Sequence, residues 1–158
     1  MSRAFVKDSD GSEADELPDR IISAHRNLVT AEGAAQIEAQ CRTLRDQLSA
    51  ARAADDRATV AHCARDLRYW TQRRSSAELV PAPVNEEVAR FGSHVVLLRD
   101  DGTSLRLRIV GQDEADPAQG LISYVSPLAN AVLGVRVGDT VEVAGRPARV
   151  VQLGIRSA

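Results

Sequence analysis

Lysine is all but missing from this sequence: Lys7 stands alone, and arginine carries nearly all of the positive charge. Arginine's planar fork suits carboxylate and phosphate, although an arginine-favouring genome would leave the same mark. Aromatic residues make up 3% of the chain, too few to line a deep aromatic cleft. Cys41 and Cys63 are the only cysteines and have neither a CxxC partner nor a histidine cluster beside them, which argues against a metal site. They read as small buried apolar residues of a reducing compartment. No apolar run approaches the ~20 residues needed to span a bilayer, and the opening MSRAFVKDSDGSEADE lacks the apolar stretch of a signal peptide. A cytoplasmic location away from membranes is therefore expected. A net charge of -2 lacks the basic signature of a general nucleic-acid binder, so no sequence-specific DNA binding is expected and any nucleic-acid contact is local.

The 158 residues, 44% of them hydrophobic, suffice for one or two small domains. Residues 1–29 mix Asp, Glu, Ser, Gly and Pro and read as a flexible leader that adds nothing to a core. At Thr30 the pattern changes. Thr30 is a good N-cap, Glu32 puts negative charge in the first turn, and Ile37, Cys41, Leu44 and Leu48 recur at helical spacing. The large apolar residues disappear through SAARAADDRA and resume at Val60, Leu67 and Trp70. Two helices with one narrow stripe each are marginal alone, so residues 30–80 are expected to close into an antiparallel coiled-coil hairpin turning near Ala53 to Arg57. Each arm would reach ~30 to 37 Å.

Prolines around Ala82 to Asn85 mark a linker and a domain boundary. From 84 to 158 the pattern turns to short β-type runs: His94 to Leu98, Leu105 to Val110, Leu121 to Val125, Thr140 to Val143 and Ala148 to Leu153. Asp100-Asp101-Gly102 is hairpin-turn chemistry. Within SPLANAVLG, Ser126 caps, Pro127 suits the first helical position and Gly134 suits the residue after the end. The whole predicts an α+β protein in which the second domain is a bent antiparallel sheet with one short helix.

The stretch RIVGQDEADPAQGLISYVSPLANAVLGVRVGDTVEV, Arg108 to Val143, resembles the C-terminal signature of the GreA/GreB transcript cleavage factors. Its ISxxSPxxxAxxG element appears as Ile122, Ser123, Ser126, Pro127, Ala131 and Gly134, followed by a GD turn at Gly138 and Asp139. NLVTAEGAAQIEAQ and SSAELV resemble the family's entrance to and exit from its coiled coil more loosely. The resemblance implies a hairpin that enters the secondary channel of RNA polymerase and an FKBP-like domain that docks at the channel rim. Ile122, Ser123, Ser126 and Pro127 would then contact core polymerase, and the same residue types also serve a capped helix.

The family's hairpin turn carries a GDLxENxEY-like sequence whose acids help hold a Mg²⁺ ion and water in the polymerase active site. Here the turn reads AADDRATVAH. Asp55 and Asp56 are the candidate tip acids, no Glu follows at the family spacing, and Arg57 adjoins the pair. The arms also fall short of the family's by about ten residues each, or about 15 Å of reach. The expectation is an RNA polymerase-binding elongation regulator, an accessory factor and not itself an enzyme, with weak or absent cleavage stimulation and no cofactor of its own beyond the polymerase-held Mg²⁺. The alternative is an active cleavage factor using Asp55 and Asp56. A prolyl isomerase is the contrasting enzyme class, for which the domain offers only Phe91 and Tyr124.

Arg57, Arg65, Arg68, Arg73 and Arg74 on the second arm face only Asp66 in opposition, beside Tyr69 and Trp70. Arg65, Arg68 and Arg73 are the candidates for contact with the nascent RNA 3′ end or the channel wall; the competing reading is solvated arginines with Trp70 packed in the seam. Asp113, Glu114 and Asp116 have no calcium-loop spacing and read as a solvated acidic turn.

Overall fold

A computed structural model describes residues 16–154. The chain divides into two compact units, one of Met1–Ile22 and Ala39–Gln72, the other of Ser23–Glu38 and Arg73–Ala158. Both long helices contribute to both units, so this division falls inside the helices.

In the first unit, α1 (Ala31–Ala53) and α2 (Arg57–Ser76) flank a turn at the position expected. Leu44, Leu48 and Cys63 are buried in the seam, with Val60, Ala64, Leu67 and Trp70 packed on them. Burial of such a side chain contributes roughly 1.5–3 kcal/mol, which explains why stripes this narrow hold only as a pair. Cys41 and Cys63 are both free and buried, as small apolar residues are expected to be.

The second unit is built on a five-stranded sheet in the order β5-β4-β3-β7-β6. Its strands are β3 (His94–Arg99), β4 (Ser104–Val110), β5 (Leu121–Ser123), β6 (Thr140–Val143) and β7 (Arg146–Leu153). Val95, Leu97, Ile109, Ile122 and Val150 alternate onto one face and are closed by Ala129 and Val132 of α3 (Pro127–Val132). The sheet is mixed, not wholly antiparallel: β5 runs parallel to β4, with Ile109 opposite Ile122. A parallel neighbour requires the chain to return to the end from which it started. Residues 111–120 achieve this with a 3₁₀ turn at Pro117–Gln119 that is capped by Asp116 and closed by left-handed Gly120.

The expected leader also needs correction. Its residues 1–15 lie outside the described residues, but Leu28–Val29 (β1) pair in parallel with Glu78–Leu79 (β2), and Asn27 and Val29 are buried. A two-residue strand is too short to leave a period in the sequence. It forms because the hairpin's two ends must be tied, and Glu78 N–H to Asn27 O at 2.8 Å and Val80 N–H to Val29 O at 2.9 Å do so.

Between β6 and β7, Val143 pairs with Arg146 across a two-residue turn in which Ala144 and Gly145 both have left-handed backbones, φ 51° and 73°. Such a turn favours Asn-Gly, and alanine in this region costs about 1–2 kcal/mol. Ala144→Asn is therefore expected to stabilise the protein by about 1 kcal/mol and to raise Tm by about 2–4 °C in a calorimetric scan.

Candidate functional site

Asp55 and Asp56 both lie exposed in the turn between the arms. Asp55 adopts a left-handed backbone, φ 52°, which aspartate tolerates better than most residues. Asp56 is the N-cap of α2: its Oδ1 accepts from Thr59 N–H at 3.1 Å and its Oδ2 from the Thr59 hydroxyl at 2.6 Å. Those two bonds, the hydroxyl's first, hold the Asp56 pKa below the usual carboxylate value. The turn borders an open depression of about 500 Å³ that Arg52, Arg57, Arg68 and Glu16 also line. Asp55 and Asp56 are thus neighbours in the turn, and Asp56 is committed to the cap of α2.

The arginines of α2 divide. Arg73 is 2% exposed. It cannot touch RNA or a channel wall, and its candidacy for that role fails. Its Nε lies 2.5 Å from Asp113 Oδ2 and its Nη2 donates to Asn27 Oδ1 at 2.6 Å, while Asn27 Nδ2 donates back to the Arg73 carbonyl at 2.7 Å. Arg74 reaches Glu38 at 3.5 Å. Arg65 and Arg68 remain on the surface, Arg65 paired with Asp66 at 2.9 Å and Arg68 with Asp19 at 2.6 Å. Opposition from Asp19, Glu38 and Asp113 was invisible in the sequence, since all three lie far from α2 along the chain.

The acidic turn is likewise structural rather than solvated. Asp113 holds Arg73, Glu114 Oε2 accepts from the Thr30 hydroxyl at 2.5 Å, and Asp116 caps the 3₁₀ turn. Thr30 in turn caps α1 through Gly33 N–H at 2.9 Å.

In the sheet unit, Ile122 is a core residue, 5% exposed. Ser123 Oγ accepts from Val125 N–H at 3.4 Å and Ser126 Oγ from Ala129 N–H at 3.2 Å. Pro127 stands exposed at the first position of α3. The four residues fall within one six-residue stretch in which Ile122 is buried and Pro127 is exposed. Phe91 and Tyr124 meet edge to face at 5.6 Å, and the Tyr124 hydroxyl donates to the Arg26 carbonyl.

On the opposite side of the sheet, His94 pairs in register with Arg108. Burial first, and then the Arg108 charge, push the His94 pKa below its ordinary value of 6.5. A lowered folded pKa means that the neutral ring is favoured on folding. Its contribution is present above the unfolded pKa and is lost as pH falls through the folded one. The urea midpoint is expected to drop between pH 7.5 and pH 5, and His94→Gln to reduce that drop.

One unit carries a helical hairpin with two exposed acids at its turn, and the other a mixed sheet with a serine-capped loop, which defines a two-part protein. The family model for the transcription elongation factor GreA/GreB C-terminal region matches residues 84–155. GreA from Novosphingobium aromaticivorans is 33% identical over 141 residues, 78% of this chain and 89% of that protein. GreB from Neisseria meningitidis serogroup B is 43% identical over 79 residues, 49% of this chain and 48% of that protein, so the chain spans about half the length of such relatives. A crystal structure of GreA factor homolog 1 (Gfh1) from Thermus thermophilus aligns over 82% of this chain and 99% of that chain at 24% identity, with a TM-score of 0.40. The chain belongs to the GreA/GreB family of transcription elongation factors. No helix among the described residues is long and apolar enough to cross a membrane.

Proposed function

We propose that the protein binds core RNA polymerase in the cytoplasm as an accessory factor, with its hairpin turn in the secondary channel and the 122–127 loop at the rim. It would stimulate transcript cleavage weakly or not at all. The observation that carries this reading is the Asp56 carboxylate, both of whose oxygens are engaged in capping α2. A carboxylate acts on a metal only by direct or one-water contact, so reaching a polymerase-held Mg²⁺ through Asp56 would mean giving up the cap. Among the described residues no group of three or more His, Cys, Asp or Glu side chains could hold a metal by itself. The arms, 23 and 20 residues long, span about 34 and 30 Å at 1.5 Å per residue, consistent with a shortened probe. Arg65 and Arg68 are the residues left to meet nascent RNA.

In a backtracked polymerase complex, the protein is expected to leave 3′-end RNA cleavage at the polymerase's intrinsic rate and to lower the cleavage given by a proficient relative added with it. Robust cleavage that disappears on Asp55→Ala plus Asp56→Ala would overturn the reading. Docking is tested separately by Pro127→Glu. An acid at the start of a helix keeps the fold, so the variant should remain folded while losing co-elution with core polymerase.

A further inference from the structure

The segment that precedes the hairpin is laid along α2 in a charge-matched register. Asp19 Oδ1 accepts from Arg68 Nε at 2.6 Å, and the Leu17 carbonyl accepts from Arg68 Nη2 at 3.3 Å. Arg20 reaches Asp66, the one acid of α2, at 3.7 Å. Its guanidinium also stacks 3.8 Å above the Tyr69 ring and 5.9 Å from that of Trp70, and the two rings meet edge to face at 5.3 Å. Glu16 lines the depression that Arg52, Arg57 and Arg68 share. Acid thus meets arginine, arginine meets acid, and a flat cation covers the aromatic pair.

Arginines beside two aromatic rings are the chemistry of a single-strand nucleic-acid platform, where phosphates pair with guanidinium and bases stack on rings. Asp19 takes the place of a phosphate and the planar Arg20 the place of a base. We propose that residues 16–20 are a tethered competitor that occupies the Arg68–Tyr69 face of α2, beside the edge of Trp70, and holds it closed to single-stranded RNA until displaced. The proposal rests on the reading of Arg65 and Arg68 as RNA contacts and adds their regulation.

The contacts are weak enough to reverse. An exposed ion pair or a cation–π contact each shifts an equilibrium by about 2- to 5-fold, so several together mask the face by about 10-fold or more without locking it. Asp19 is 72% exposed and Arg20 38%, so both can be replaced without opening a core.

The test uses the full chain with Asp19→Ala and Arg20→Ala together, a pair that removes one charge of each sign and leaves the net charge at -2. Trp70 is the only tryptophan, so its fluorescence reports the strap directly. The variant is expected to show greater acrylamide quenching of Trp70 and about 10-fold tighter binding of a labelled single-stranded RNA oligonucleotide at fixed salt. Adding Arg68→Ala should abolish the gain. RNA affinity equal to wild type, or a gain that survives Arg68→Ala, would overturn the proposal. Co-elution of the wild-type chain with core polymerase is scored independently, so a failed strap and a failed polymerase reading give different patterns.

Discussion

Replacing Arg73 with alanine is expected to destabilise the protein by about 3–5 kcal/mol, read as a fall in the urea midpoint at constant slope. The side chain is 2% exposed and its Asp113 partner 12%, so the ion pair has little water to replace it. Truncation removes the guanidinium from Asp113 and from Asn27 Oδ1 in one step, and desolvated polar groups that lose partners carry the full penalty. Arg73→Lys should recover only part of the loss, because an ammonium cannot match a fork that serves a carboxylate and an amide at once. Replacing Arg73, Asp113 and Asn27 together with apolar residues of similar volume should recover more than lysine does. If Arg73→Ala costs less than an exposed arginine typically does, the buried ion pair is not what holds these segments.

Gly120→Ala is the second large effect, expected at about 3 kcal/mol or more, from left-handed strain of about 1–2 kcal/mol plus a backbone collision. Gly120 has φ 75°, and a Cβ there would run into the carbonyl oxygen of Arg106. That oxygen belongs to β4, which is hydrogen-bonded on both sides, so it cannot retreat cheaply. Gly102 supplies the comparison: its φ is 83° but a Cβ there meets nothing within 4 Å. Gly102→Ala should cost the backbone strain alone. Because Gly120 sets up the parallel pairing that carries Ile122 and Ser123, Gly120→Ala should also weaken polymerase retention, whereas Gly102→Ala should not. Equal losses from the two variants would show that the collision is relieved by a shift of β4.

The two helices, the hairpin turn, the five strands and the Ser126-capped helix were legible because each follows from a local period or a local stop signal. The Asp55–Asp56 turn and the 122–127 loop were legible for the same reason. What stayed hidden depended on pairs distant in sequence. Arg73 has the composition of a surface arginine, and only Asn27 and Asp113, brought from either side of it, make it a buried one. Asp113 to Asp116 look like a solvated turn until Arg73, Thr30 and the 3₁₀ turn claim them one by one. The parallel setting of β5 and the β1–β2 tie left no period to detect, since three- and two-residue strands are shorter than the pattern that would announce them.

The sequence by itself determined which segments become helix, strand and turn, and through Arg108 to Val143 it determined the family. Those choices are made by neighbours within a few residues, where spacing, capping and turn chemistry act. The tertiary structure alone decided which arginines face water, which acids are free to act and what lies over the Tyr69–Trp70 face. A charge acquires its role from the partner folded against it, and for Arg73 and Arg68 that partner sits 40 and 49 residues away along the chain.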